Sequence, residues 1–237
     1  LAKNCSAARA GLARMWRLCD GDGGSIERAK MLNTVRYAVG AALMVVAGVN
    51  SVNAACLNEE DMRRGIIVTF ENQSSVAMRR TRAGLVEVTE TYASEDLTIK
   101  FTGQHGLYFT EEVTLVAARP ESSSRLEIVF DEASAALPAP EVGTFWSGST
   151  TNIFPDGDQR SELYDVFFLD APVTRISGCD YETIHAVVEY RWPTDEYGVS
   201  LLYAYLPALD TAYILSSSSS VAETGVNIPV AIEPATF

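Results

Sequence analysis

The hydrophobic and polar positions after Gly65 follow the two-residue period of strands. Over 182–192, Ile184, Ala186, Val188, Tyr190 and Trp192 fall on one side. Thr183, His185, Glu189 and Arg191 fall on the other, with only Val187 apolar among them. Side chains alternate across a sheet, so this pattern predicts a strand with one buried and one wet face. Leu126, Ile128 and Phe130 against Glu127 and Asp131 repeat it, whereas 199–206 is apolar at both parities and predicts a strand covered on both sides. Further runs rich in β-branched and aromatic residues lie at 66–71, 76–81, 85–92, 97–102, 106–117, 144–154, 161–169 and 211–216. Turn-forming clusters at 72–74, 82–84, 103–106, 155–158 and 193–198 separate them. The expected fold is all-β, an antiparallel meander forming a curved sheet, half-barrel or sandwich.

Three segments depart from this rhythm. Asn58, the acids Glu59, Glu60 and Asp61, then Arg63, Arg64 and Gly65 supply an N-cap, charges that oppose the helix dipole and a C-cap glycine. They predict a short N-terminal helix of about two turns. The Ala/Pro-rich stretch 132–143 reads as a crossing loop within one domain, and the serine run 216–220 opens a tail expected to be loosely held from about residue 217.

Ahead of the strands, 38–49 is an uninterrupted apolar run preceded by Arg36. It is too short for a bilayer core, which needs about 20 apolar residues, and matches the h-region of an export signal. Val52 and Ala54 occupy the positions that signal peptidase inspects, so 31–54 is expected to be a signal peptide cleaved after Ala54, with Ala55 the second choice. Residues 1–30, ahead of Met31, read as a disordered extension from a start site placed too early. The mature protein is then a single domain, 55–237, periplasmic or secreted, with no integral membrane segment.

Charge narrows the partners. Residues 55–237 keep 11 of the 18 Lys/Arg and 28 of the 31 Asp/Glu, a net −17. Such a field repels phosphate backbones and anionic headgroups, which disfavours nucleic acid. In an oxidising compartment the two cysteines of the domain, Cys56 and Cys179, are expected to pair. The rival reading, a lipidated Cys56, lacks the aliphatic residue a lipobox needs at Asn53.

Catalytic signatures are sparse: there is no G-x-S-x-G, H-E-x-x-H, phosphate-binding glycine loop or C-x-x-C. His185, Glu189 and Arg191 share a polar face and form a possible polar site. His105, in the turn 103–106, reads as a plain turn residue. Asp156, Asp158 and Glu162 are oxygen donors close in sequence, but the segment is too short for a calcium loop, so no metal and no cofactor are expected. Arg79, Arg80 and Arg82 read as a solvated strand edge, and Asn72-Gln-Ser74, which fits a glycosylation sequon, is discounted behind a bacterial-type leader. Aromatic residues concentrate in the second half, and Trp146, Tyr190, Trp192, Tyr203 and Tyr205 are the candidates to line a groove for an apolar ligand.

The order Gly143-Thr-Phe-Trp146, a hairpin at Pro155-Asp-Gly157, Gly178-Cys-Asp-Tyr181 and Tyr205-Leu-Pro-Ala-Leu209 resembles uncharacterised exported β-rich proteins of proteobacteria. The chain departs from their pattern with Asp210 in place of a glycine and with 179–181 in place of the usual step. The resemblance implies a curved antiparallel sheet and no activity.

The leading expectation is a non-catalytic exported protein that binds a hydrophobic or amphipathic small molecule, or an envelope protein, in the concavity of its sheet. A structural or interaction protein of the envelope is the second reading and a hydrolase-like enzyme the third. An aromatic-lined cavity favours the first, and a filled interior with an apolar surface patch favours the second.

Overall fold

The computed structural model describes residues 56–92, 97–132, 136–193, 198–219 and 222–235. The expected leader, its cleavage site and the upstream extension lie outside these residues. No described helix is long and apolar enough to cross a membrane.

The described chain is all-β and antiparallel. Its strands in the first half are β1 Ile66–Phe70, β2 Ser75–Arg80, β3 Val86–Tyr92, β4 Leu97–Gln104, β5 Tyr108–Val116, β6 Arg119–Pro120 and β7 Leu126–Phe130. The second half adds β8 Phe145–Ile153, β9 Gln159–Asp170, β10 Thr174–Ile176, β11 Cys179–Tyr181, β12 Ile184–Arg191, β13 Gly198–Leu206, β14 Thr211–Ser219, β15 Ala222–Val226 and β16 Pro229–Pro234. One ladder path runs β15-β14-β13-β12-β9-β8-β7-β5-β4-β3-β2-β1-β16, with β6 a branch on β5 and β10–β11 a separate hairpin. Most neighbours on the path are also neighbours in sequence, as a meander requires. The path is not closed by a ladder between β15 and β16, yet these end strands are consecutive in the chain and separated only by Asn227 and Ile228.

Two of the expectations are corrected. The two-turn helix is a single 3-10 turn, Asp61–Arg63. The Asn58 side chain accepts from Glu60 N–H and Asp61 from Asn58 N–H, so the local side chains close one turn. Gly65, at φ +96°, then turns the chain at once into β1. The tail is held: the serine run continues β14 to Ser219, and Pro229–Pro234 pairs with β1 from Ile66↔Pro234 to Val68↔Ile232. Both prolines sit at the ends of β16, where a missing N–H is tolerated. Ser177, in the β10–β11 turn, accepts from Ile232 N–H at 2.9 Å and lies 3.2 Å from its carbonyl, covering the polar groups on the other edge of β16.

Two core clusters divide the interior. The first is built mainly from β1–β5 and β7 with Met62, and takes in Cys179, Tyr181 and Ile232. Cys56 and Cys179 form a disulfide, which fastens the start of the described chain to β11 and leaves no free thiol on Cys56 to carry a lipid. The second cluster gathers residues of β9, β12, β13 and β14 with Leu107, Tyr108 and Leu137. The hairpin end of β13–β14 serves both: Tyr203, Tyr205 and Ala212 face the second cluster, Ala204, Leu206 and Tyr213 the first. This is the two-sided covering expected for 199–206, realised in its last four residues.

Candidate functional site

The five aromatic residues expected to line a groove are core residues or lie against the core. Tyr190, Trp192, Tyr203 and Tyr205 are buried, and Trp146 is half-buried at the margin of the second cluster. Rings from successive strands meet in a row across the sheet: Tyr108 to Phe130 at 6.2 Å, Phe130 to Trp146 at 6.0 Å, Trp146 to Tyr164 at 5.8 Å and Tyr164 to Tyr190 at 5.1 Å between centroids. These are tilted and edge-on contacts of the kind that pack aromatic interiors. Gly148 leaves room for the Trp146 ring, since a Cβ at this position would come within 2.4 Å of it and force the ring to move. The expected crossing loop helps to cover the row, with Leu137 in the cluster and the Pro138 carbonyl accepting from Tyr108 Oη at 3.0 Å.

Inside this cluster sits a carboxyl group. Glu162 is 1% exposed on β9 and shares its face with Tyr164, Val166 and Phe168. Burial pushes its pKa up to about 7, against hydrogen bonds from Asn152, Trp192 and Thr150 that favour the charged form. It is therefore not a partner of Asp156 and Asp158. Those two belong to the Pro155-Asp-Gly-Asp turn, where Phe154 N–H bonds the Asp158 carbonyl and Gly157 takes φ +91°. Among the described residues no group of three or more His, Cys, Asp or Glu is arranged to hold a metal.

A second polar cluster joins the halves of the molecule, and here the expectation of a plain turn residue at His105 fails. The β4–β5 turn meets the β13–β14 turn, where His105 Nδ1 lies 2.5 Å from Asp210 Oδ1 and Tyr205 Oη donates to the same oxygen at 2.8 Å. Arg80 Nη2 pairs with Asp210 Oδ2 at 2.9 Å and reaches the Leu209 carbonyl at 3.3 Å. Arg80 is thus a clasp rather than a solvated edge. Burial alone would raise the Asp210 pKa, but the bonds from His105 and Tyr205 and the nearby positive charge hold it below the usual carboxylate value. These contacts tie the β4–β5 turn and the end of β2 to the β13–β14 turn, which makes the cluster a brace between two turns.

His185, Glu189 and Arg191 do lie on one face of β12, but they are not joined into one group. Arg191 bonds Asp165 on β9, which also accepts from Ser147 Oγ at 2.5 Å. Among the described residues no hydrogen bond or ion pair links His185 to Glu189 or Arg191. Between His185 and Glu189 lies Val187, and it belongs to a row that runs across the strands. The ladders align Phe145 with Phe167, Phe167 with Val187 and Val187 with Leu202. Phe145 and Phe167 stack at 4.5 Å although they are 54% and 38% exposed. Leu169 and Leu163 flank Phe167 on the same face and are exposed as well. Around the row this face carries Ser147 and Ser149 on β8, Ser200 on β13 and Ser216 on β14, together with Asp165 on β9 and His185, Glu189 and Arg191 on β12.

This outer face is the candidate site. Sequence alternation places Val187 outward, but only the ladder registers reveal that four apolar residues from four strands form one stripe. No family model matches the chain, and neither a curated protein nor a solved structure does.

Proposed function

We propose that this is an exported, non-catalytic interaction protein, its leader removed near Ala54, which docks on a macromolecular partner through the outer face of β8, β9, β12 and β13. One observation carries the reading: on a domain of net charge −17, this face holds an exposed stacked phenylalanine pair within an apolar row that crosses four strands. Interface centres are depleted of charge and enriched in aromatic residues, and contiguous apolar patches on soluble proteins mark contact surfaces. The disulfide supports an oxidising compartment, because such bonds persist outside the cytoplasm. The burial of Tyr190, Trp192, Tyr203 and Tyr205 favours an interaction role over carriage of a small molecule between those rings.

The test is a photo-crosslinking residue placed at position 145, 167 or 202 in producing cells, with position 116 as the control. Val116 is exposed and apolar but lies far along β5 from the stripe. Adducts of discrete mass from the three stripe positions and none from the control are expected. Equal labelling at all four positions, or none at any, removes the proposal.

A further inference from the structure

Resting on the interaction reading, we infer that the partner is a basic polypeptide segment, which lays apolar side chains on the Phe145–Phe167–Val187 row and lysine or arginine over the carboxylates beside it. The shape of the face comes first. Leu202 continues the row onto β13, but Ala204, on the same face and opposite His185, is fully buried in the first core. The early half of the molecule therefore covers the face on its β13 side and leaves β8, β9 and β12 as the open floor. Three strands at about 4.8 Å spacing make a ledge about 10 Å across. That width is about the diameter of one helix, so the ledge takes a single chain segment and not a second folded sheet.

Charge then selects the segment. Residues 126–237 hold 17 Asp/Glu and 3 Lys/Arg, a net −14, whereas 55–125 hold 11 and 8, a net −3. The charge of the domain thus lies almost wholly on the half that carries the row. Its three cations are already engaged: Arg191 bonds Asp165, Arg175 lies 3.7 Å from Asp180, and Arg160 sits over the Phe154 ring. On the ledge itself, Asp165 and Glu189 stand directly opposite each other on β9 and β12, a placement in which like charges repel. Arg191 and Ser147 hold the Asp165 carboxylate, while among the described residues no hydrogen bond or ion pair engages that of Glu189. Each acid is two residues along its strand from the row, Asp165 from Phe167 and Glu189 from Val187, a distance of about 7 Å. A partner that covers the row therefore covers both acids. A neutral one would strip water from a carboxylate and give no counter-charge in return, which opposes binding. A basic side chain at that distance from an apolar anchor relieves the repulsion instead, whereas nucleic acid and anionic lipid bring the wrong sign.

Synthetic peptides test it, by fluorescence anisotropy on the purified protein. A short labelled peptide of lysines and leucines should bind, and should bind less tightly as salt is raised. The same peptide with glutamate for lysine, or with serine for leucine, should not bind. Glu189→Lys and Phe167→Ser should each weaken binding of the lysine–leucine peptide about tenfold or more, and Glu189→Gln, which keeps the shape of the side chain, by a smaller factor in the same direction. Glu121→Lys makes the same change of charge at an exposed acid of the other half and should alter binding by less than about threefold. Unchanged circular dichroism and thermal midpoints keep these variants interpretable. Equal losses from Glu189→Lys and Glu121→Lys would reduce the binding to net charge and overturn the inference. So would a lysine–leucine peptide that does not bind, or a lysine–serine peptide that binds as well. If crosslinking at positions 145 and 167 then still gives adducts of discrete mass, the interaction reading stands with a partner of other chemistry; if there are no adducts, both fall.

Discussion

The two cores of this molecule are made of different material. The first is aliphatic in its strands, with Ile66, Val68, Val76, Met78, Val86, Val88, Leu97 and Ile99 buried side by side. The second is built on tyrosine and tryptophan. Aliphatic side chains ask only for volume to be filled, so such a core tolerates rearrangement as long as its size is kept. Each buried tyrosine also brings a hydroxyl that must find a partner. Tyr108 donates to the Pro138 carbonyl, Tyr164 to that of Leu107 and Tyr205 to the Asp210 carboxylate. The second core is therefore fixed by direction as well as by volume, and it fixes the loops that accept from it. It also holds a carboxyl, Glu162, whose raised pKa gives this core a dependence on pH.

The largest expected effect is on the first core. The disulfide ties Cys56 to a member of that cluster across 123 residues, and in the chain-entropy model a loop of that size contributes about 5 kcal/mol. Replacing both cysteines by serine should lower the urea midpoint accordingly. Trp146 and Trp192 both report on the second core, so fluorescence and far-ultraviolet dichroism should lose their coincidence if that core outlasts the first. A common midpoint for both signals would mean that the two cores unfold as one.

Next comes Glu162. Its folded pKa is raised to about 7 above an ordinary 4.5, so as pH rises the unfolded chain releases its proton first. Stability from this group is greatest below pH 4.5, declines between the two values and is flat above about 7, a loss of about 3 kcal/mol. Glu162→Gln should match the wild type near pH 4.5 and exceed it by up to that amount at pH 8 in urea titrations. A constant difference between the two proteins at all pH values would break the assignment.

The smallest effect separates direction from volume. Tyr164→Phe keeps the ring and removes only the hydroxyl, with its bonds to the Leu107 carbonyl and to Tyr190, so it should cost about 1–2 kcal/mol, read as a shift in urea midpoint at unchanged slope. A neutral substitution would mean that the second core, like the first, is held by volume alone.

Much of this was legible in the residues. The alternation of 182–192 predicts which side of β12 is buried, and the Pro155-Asp-Gly-Asp158 turn is where its residue types place it. Glu162 shows what pattern reading forgoes when chemistry is sought first. Grouped with Asp156 and Asp158 it resembles a cation ligand, yet its parity with Tyr164, Val166 and Phe168 already places it inside. The His105–Asp210 contact was out of reach, since it depends on two turns 105 residues apart meeting in space. β16 was missed because the serine run 216–220 reads as the opening of a loose tail, although the two prolines beyond it suit end positions on an edge strand.

Asn227 and Ile228 carry the chain from one border of the sheet to the other, and Asn227 is held at both: its amide donates to the Ile214 carbonyl at 3.0 Å and its oxygen accepts from Asn72 at 3.0 Å. The ribosome therefore delivers β1 long before the neighbour that shields its flank. Until Pro229–Pro234 emerges, the early half of the molecule shows a naked backbone margin on which foreign strands can grow. Any product that stops short of residue 227 keeps that margin for good, and nonsense or clipping events there should yield aggregates rather than a smaller folded protein.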